Sequence, residues 1–211
     1  MAFVIAGYGQ FGKLAASRLK DLYPRECLVL VDRDATKFAE SNIPSNSRAI
    51  VAEADEFVTD LITSRHEGQW IIPTVPFHLL ARVAMRRFPE LEEAALLEEV
   101  SSLVPNPYRV DPATLWCSYA DFLCPDDCEE GPECSVTGES RKPLFAALEN
   151  LFIHGKALKI LVSRQLCPGI GGYRRTDLLE FLEDLVGFDG VIGTSCKCHA
   201  VLTALRWRSK I

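Results

Sequence analysis

The stretch FVIAGYGQFGKLAASRLK at 3–20, together with CLVLVDRD at 27–34, constrains the fold of this chain more than anything else in it. FVIA is a short apolar run of the kind that makes a buried parallel strand, and a glycine turn follows at once. Phe11, Leu14, Ala15 and Leu19 then recur at i, i+3, i+4 and i+8, which is one face of a helix. A second apolar run ends in Asp32, twenty residues after Gly12. Strand, glycine turn, helix, strand and acid in that order predict a dinucleotide site, which an isolated G-x-G-x-x-G does not. Gly7 permits the tight turn, Gly9 lets the backbone approach a pyrophosphate, and Gly12 lets the helix pack closely on the strand. The backbone from Tyr8 through Gln10 and Phe11 brings unpaired N–H groups and the positive end of the helix dipole to the phosphates. Asp32 is placed to accept both ribose hydroxyls.

These residues resemble the TrkA-N domain, also called RCK or KTN, the nucleotide-binding regulatory module of potassium transport systems. The resemblance covers roughly residues 1–90 and is most specific in the first 35. It implies a Rossmann domain in which Gly7, Gly9, Gly12 and Asp32 bind an adenine dinucleotide, NAD(H) ahead of NADP(H). Arg33 leaves that choice open, because a guanidinium there can meet a 2′-phosphate.

The pattern continues as α/β. RAIVA (48–52) reads as a third strand, DEFVTDLITS (55–64) as a helix, WII (70–72) as the core of a fourth strand, and Phe77 to Phe88 as another helix. PELEEAALLEEV (89–100) and PNPYRVDP (105–112) read as a linker between a dinucleotide-binding domain at 1–95 and a cysteine-rich half at 105–211. The second half repeats the alternation: strand 114–119, helix 143–154, strand 158–163, helix 177–186, strand 190–194 and a last helix from about His199. Such alternation predicts a doubly wound, mostly parallel Rossmann-like sheet that the second half extends.

Eight cysteines are a heavy load for a chain whose start shows no secretory leader and which has no apolar run long enough to span a bilayer. The expectation is a cytoplasmic protein without membrane insertion, in which thiols serve metal or redox chemistry rather than structural disulfides. A net charge of −6 argues against nucleic acid as a partner. Cys124, Cys128 and Cys134 lie in CPDDCEEGPEC. Cys117 lies in the strand before it, Cys167 follows the strand at 158–163, and Cys196 and Cys198 follow the strand at 190–194. In a parallel sheet the loops after the strands share one edge, so these seven thiols are expected near the nucleotide, with Cys27 left as core packing. Metal ligation is assigned to Cys117, Cys124, Cys128, Cys134, Cys196 and Cys198, holding an iron–sulfur cluster or zinc, with free thiols or a reversible disulfide as the alternatives.

Three further features carry expectations. His78, after the fourth strand, is the candidate catalytic acid–base, near where a nicotinamide would lie. The loop Gly169–Arg175 offers glycines and two guanidiniums to a small anionic substrate. His154 reads as a helix C-cap and His66 as a surface residue. Two functions follow. One is an NAD(P)(H)-dependent oxidoreductase or electron-transfer protein with a cysteine-ligated centre near the nucleotide, in a monomer or homodimer. The other is a regulatory nucleotide or redox sensor with a structural metal and no turnover.

Overall fold

The computed structural model describes residues 2–39, 43–64, 69–153 and 155–208. The first part of the chain runs β1 (Ala2–Ala6), α1 (Gln10–Leu22), β2 (Cys27–Asp32), α2 (Thr36–Ala39), β3 (Ser47–Val51), α3 (Ala54–Thr63), β4 (Gln69–Pro73) and α4 (Leu79–Arg87). It continues with β5 (Leu91–Glu93), α5 (Glu98–Leu103), β6 (Tyr108–Arg109), β7 (Thr114–Ser118), α6 (Leu144–Glu149), β8 (Phe152–Ile153) and β9 (Lys156–Ala157). The remainder is β10 (Lys159–Val162), β11 (Arg164–Cys167), β12 (Ile170–Arg174), α7 (Arg175–Glu183), β13 (Gly190–Ser195) and β14 (His199–Trp207).

The fold is mixed α/β, with two mixed sheets where the sequence pattern predicts one mostly parallel sheet. The first sheet has the order β11-β12-β4-β1-β2-β3. Its strands β4, β1, β2 and β3 are parallel, with Phe3 opposite Leu28 and Trp70, as the apolar runs predict. The hairpin β11–β12 then adds antiparallel to β4, so the second half of the chain completes the first sheet. The second sheet has the order β10-β13-β14-β7-β6, and only β10 and β13 run parallel.

The largest departure from the sequence reading is β14, expected as a helix. Cys198, Val201, Leu202 and Leu205 fit a helical stripe. Yet Ala200, Leu202, Thr203, Ala204 and Leu205 are all buried, because β14 lies between β13 and β7 and is covered on both faces. A central strand buried on both faces reads as a short apolar run with no alternation, which periodicity does not separate from a helix. The expected helix at 143–154 stops at Glu149, and a hairpin follows whose turn uses Gly155 at φ +77°. His154 and His66 lie outside the described residues. The expected linker is ordered structure, since β5 pairs with β14 and β6 with β7. Cys27, expected in the core, is exposed.

Apolar burial joins the two sheets. Val4, Ile71, Leu79, Leu80, Tyr173, Leu178, Ile192 and Leu205 belong to one core, drawn from both. His78, at the N-cap of α4, is pinned in this junction. Its Nδ1 lies 2.8 Å from Thr203 Oγ1 on β14, and its Nε2 lies 3.1 Å from Thr194 Oγ1 on β13.

Candidate functional site

The glycine turn has the geometry that its three glycines foretell. Gly7 sits at φ +106°, where a side chain is strained, and a Cβ there would stand 2.8 Å from the Thr74 carbonyl oxygen. A Cβ on Gly12 would overlap the Gly7 carbonyl oxygen, so α1 approaches the turn as closely as backbone allows. Above Gly9 there is open space. The start of α1 has no side-chain cap and no acidic residue in its first turn, which leaves its N–H groups and dipole uncompensated. Thr74, which the sequence reading passed over, braces the turn by donating its hydroxyl to Gly7 O at 2.7 Å.

Asp32 stands at the end of β2, 6 % exposed. It accepts from Tyr8 N–H at 2.7 Å, from Asp34 N–H at 3.0 Å and from Lys37 Nζ at 2.9 Å. Burial pushes its carboxyl upward, but these donors outweigh burial and hold it below the usual carboxylate range. A carboxylate has about four acceptor sites, so three donors leave it little capacity beyond these bonds. Tyr8 is buried and stacks on Phe38. Arg33 points to solvent with a 3.8 Å contact to Glu53.

A cavity of about 840 Å³ extends from the first turn of α1 past the chain that follows β4. Phe11, Leu14, Pro73, Val75 and His78 line one part of it. Cys117, Cys124, Cys128, Cys134, Cys196 and Cys198 line another, so all six cysteines assigned to metal share this space. Cys167 is buried instead against the first sheet, in a core with Phe3, Ile5 and Ile170. Phe11, placed by its spacing on the inner stripe of α1, is 59 % exposed and stands at the cavity with Tyr108, Trp116 and Leu123, all exposed. Tyr173 also lines the cavity, and its buried phenol oxygen has no hydrogen-bond partner.

The cysteine loop, residues 119–143, has little regular structure, and remote residues hold it. Arg18 on α1 donates to Asp126 O at 2.6 Å and to Pro168 O at 2.7 Å, tying the loop to the helix of the glycine turn. Gln165 on β11 donates to Cys128 O and accepts from Glu130 N–H. Gly169 N–H donates to Cys128 O, and a Cβ on Gly169 would overlap Asp126 O. The loop Gly169–Arg175 is therefore the β11–β12 hairpin that supports the cysteines. Its guanidiniums are engaged: Arg175 is buried and donates to Leu61, Ile62 and Ser64 carbonyls at the end of α3, and Arg174 lies over the Trp70 ring. Arg175, one of the two guanidiniums expected to meet a small anion, is thus committed to the end of α3.

The thiols differ in electrostatics. Burial pushes Cys117 up to about 12, and burial followed by Glu130 pushes Cys196 up to about 12. Cys134 lies below the ordinary thiol range, because Thr137 N–H, the Thr137 hydroxyl and Val136 N–H hydrogen-bond its sulfur. Burial raises Cys124 and Cys198. Cys124 also feels Cys128 and Cys134, and Cys198 feels Glu130, Cys128, Cys124 and Cys134. Among the described residues no three His, Cys, Asp or Glu side chains are arranged to hold a single metal ion. His78 is held neutral, its pKa lowered to about 3 by burial, with both ring nitrogens engaged by threonine hydroxyls. Among the described residues no helix is long and apolar enough to cross a membrane.

Fold and site together define a two-sheet α/β protein with a glycine turn on its parallel strands and a six-thiol cavity beside it. The chain belongs to the AF_1314_C family, whose model, described as "Uncharacterized protein, C-terminal domain", matches residues 69–208, from the first residue of β4 to just past β14. It is similar to an "Uncharacterized protein" of Archaeoglobus fulgidus, 27 % identical over 216 residues that cover 96 % of this chain and 98 % of the relative. No solved structure matches. These comparisons overturn the resemblance to TrkA-N domains: the family that matches is an uncharacterized C-terminal domain, no TrkA-N or Rossmann family matches, and the family match begins inside the stretch that carried the resemblance.

Proposed function

We propose that this chain is a dinucleotide-binding redox protein that seats NAD(P)(H) on the Gly7–Gly12 turn and exchanges electrons with an acceptor held beside the cysteine loop. The observation that carries the reading is the single cavity connecting Phe11, Pro73 and Val75 to the six thiols. In open α/β sheets, ligands bind in the crevice at the carboxyl ends of the parallel strands, and the chain after β4 occupies that edge beside β1. A reduced nicotinamide supplies a hydride, two electrons with one proton, to whatever accepts it. The protein's share is to bind, orient and exclude water. The uncapped start of α1 and the open face of Gly9 receive the pyrophosphate, and the apolar lining from Pro73, Val75 and Phe77 shields the reacting end. Asp32 serves mainly to fix the turn through Tyr8 N–H, and it meets a ribose only where Lys37 yields its place.

Calorimetric titration with NADH and NADPH tests the binding step. Micromolar binding of at least one is expected, and Asp32→Ala is expected to lose about 1.5–3 kcal/mol of it. No binding of either nucleotide by the wild type would end this reading. Steady-state oxidation of the nucleotide that binds, with an artificial electron acceptor, separates an oxidoreductase from a sensor without turnover.

A further inference from the structure

We infer that the cavity wall at Tyr173 and Thr194 binds the oxygen of a neutral carbonyl compound, a ketone or aldehyde with an apolar body, through two hydroxyl donors. The inference deepens the redox reading by naming the class of the acceptor, and it rests on that reading for hydride transfer, though not for carbonyl binding. Tyr173 lies on β12 opposite Ile71 of β4, in the first sheet, and Thr194 lies on β13 opposite Leu161 of β10, in the second. Both line the cavity. Ser163, between β10 and β11, carries the chain from one sheet to the other and donates its N–H to Ser195 O at 2.8 Å. Tyr173 and Thr194 thus stand where the two sheets join.

Tyr173 is fully buried, and its phenol oxygen has no hydrogen-bond partner. Among the described residues with a buried, unpartnered side-chain polar atom, Tyr173 alone lines the cavity. Solvent does not reach that oxygen, so its bond forms when a ligand seats against this wall, and a buried donor without an acceptor gains most from such a ligand.

Counting donors shows that the Thr194 hydroxyl is free to donate as well. His78 joins Thr194 at Nε2 to Thr203 at Nδ1, and Thr203 Oγ1 lies 3.0 Å from Thr114 Oγ1. A neutral imidazole donates from one nitrogen and accepts at the other. Were Nδ1 the donor, a hydroxyl proton of Thr203 or Thr114 would be buried without an acceptor among the described residues. With Nε2 donating to Thr194 Oγ1, Thr203 donates to Nδ1 and Thr114 to Thr203, and every buried donor is used. The proton left over belongs to Thr194, which is half-buried at the cavity end of the chain.

Charge selects a neutral acceptor. Five carboxylates line the cavity, from Asp126, Glu129, Glu130, Glu133 and Glu139. Its two cations are engaged, Arg141 with Glu139 and the Tyr119 carbonyl, and Lys197 with the Glu130 carbonyl. An anion would therefore enter without a free counter-charge. In the redox reading the carbonyl carbon takes the hydride and its oxygen takes one proton from solvent, giving an alcohol and NAD(P)+.

The test uses the full chain, with acetophenone, ethylbenzene and benzoate as probes titrated by ligand-observed NMR. Wild type should bind acetophenone at least about tenfold more tightly than benzoate. Tyr173→Phe and Thr194→Val should each weaken acetophenone about threefold to tenfold and leave ethylbenzene unchanged, while Thr194→Ser, which keeps the hydroxyl, binds like wild type. Tyr173→Phe should also melt no lower than wild type, because the phenol oxygen it removes has no partner. A lower melting temperature, absence of acetophenone binding, benzoate bound as tightly, or equal losses of acetophenone and ethylbenzene in the variants would each overturn the inference. Displacement of acetophenone by saturating NADH would assign the two hydroxyls to the nucleotide's own carboxamide and overturn it too. Acetophenone binding without binding of NADH or NADPH defeats only the dinucleotide reading.

Discussion

The glycine turn at 7–12, which reaches the cavity through Phe11, and the cysteine loop at 119–143, which lines it, are built in opposite ways. The turn is made chiefly by elements adjacent in sequence, with Thr74 after β4 bracing it: β1 delivers the chain, α1 carries it off, and β2 places Asp32 beside Tyr8 N–H. The loop is made by residues far from it in sequence. Arg18 lies 108 positions from the Asp126 carbonyl it holds, Lys197 lies 67 from Glu130, and Gln165 lies 37 from Cys128. A turn held by backbone contact tolerates no added atom at Gly7 or Gly12, whereas a loop held by a few side-chain bonds depends on each of them. The first is rigid by steric exclusion and the second by tethering.

The sharpest way to break this contrast is Gly12→Ala. Its methyl group would meet the Gly7 carbonyl oxygen, a backbone atom, so the expected loss is about 3 kcal/mol, measured as a fall in urea midpoint. A variant as stable as wild type would show that the turn yields. Gly169→Ala comes next, because Gly169 sits at φ +70° and its new methyl would strike the Asp126 carbonyl. About 2 kcal/mol should be lost, with faster labelling of the loop cysteines by a maleimide and unchanged nucleotide affinity. Equal labelling rates would mean that the hairpin does not support the loop.

His78 tests the junction between the sheets. The unfolded ring takes a proton near its ordinary pKa of 6.5, whereas the buried ring resists protonation down to about 3. Its contribution is therefore complete above pH 6.5 and is lost as pH falls toward 3, by about 1.4 kcal/mol per pH unit. Wild type should lose stability across pH 6 to 4 more steeply than His78→Gln, whose amide still reaches hydroxyl partners. Parallel slopes would show that the ring is accessible to protons. The smallest effect on stability is expected from Gly9→Ala, within about 0.5 kcal/mol, since open space lies over that residue and its backbone is extended. Nucleotide affinity should nevertheless fall about tenfold or more, a loss of some 1.4 kcal/mol. Unchanged affinity would move the pyrophosphate away from the turn.

Legibility followed the same division. The first four parallel strands and the positions of Gly7, Gly9, Gly12 and Asp32 could be read directly, since each is marked by an apolar run or a glycine or acid at a fixed offset from one, although β4 pairs with β1 from 67 residues away. Of the seven thiols expected at one edge, six line one cavity and Cys167 packs in the first-sheet core, and the second half lacks the parallel sheet from which that edge follows. Loops at 119–143 and 196–198 come together because β14 returns antiparallel between β13 and β7. Periodicity missed that strand because both its faces are buried. Arg18, Thr74, Gln165 and Lys197 left no local signal, as a side chain that tethers a distant carbonyl looks like any surface polar residue in sequence.

By itself the sequence determined the glycine turn, since the steric exclusion of Gly12 by the Gly7 carbonyl acts between atoms the local chain brings together. It also determined the supply of thiols. Only the tertiary structure decided which thiols share a cavity, that Arg175 caps α3, and that His78 is locked between Thr194 and Thr203. Strand direction and sheet order are set by how whole elements bury their faces against each other. That free energy is spread over both sheets, and no single segment encodes it.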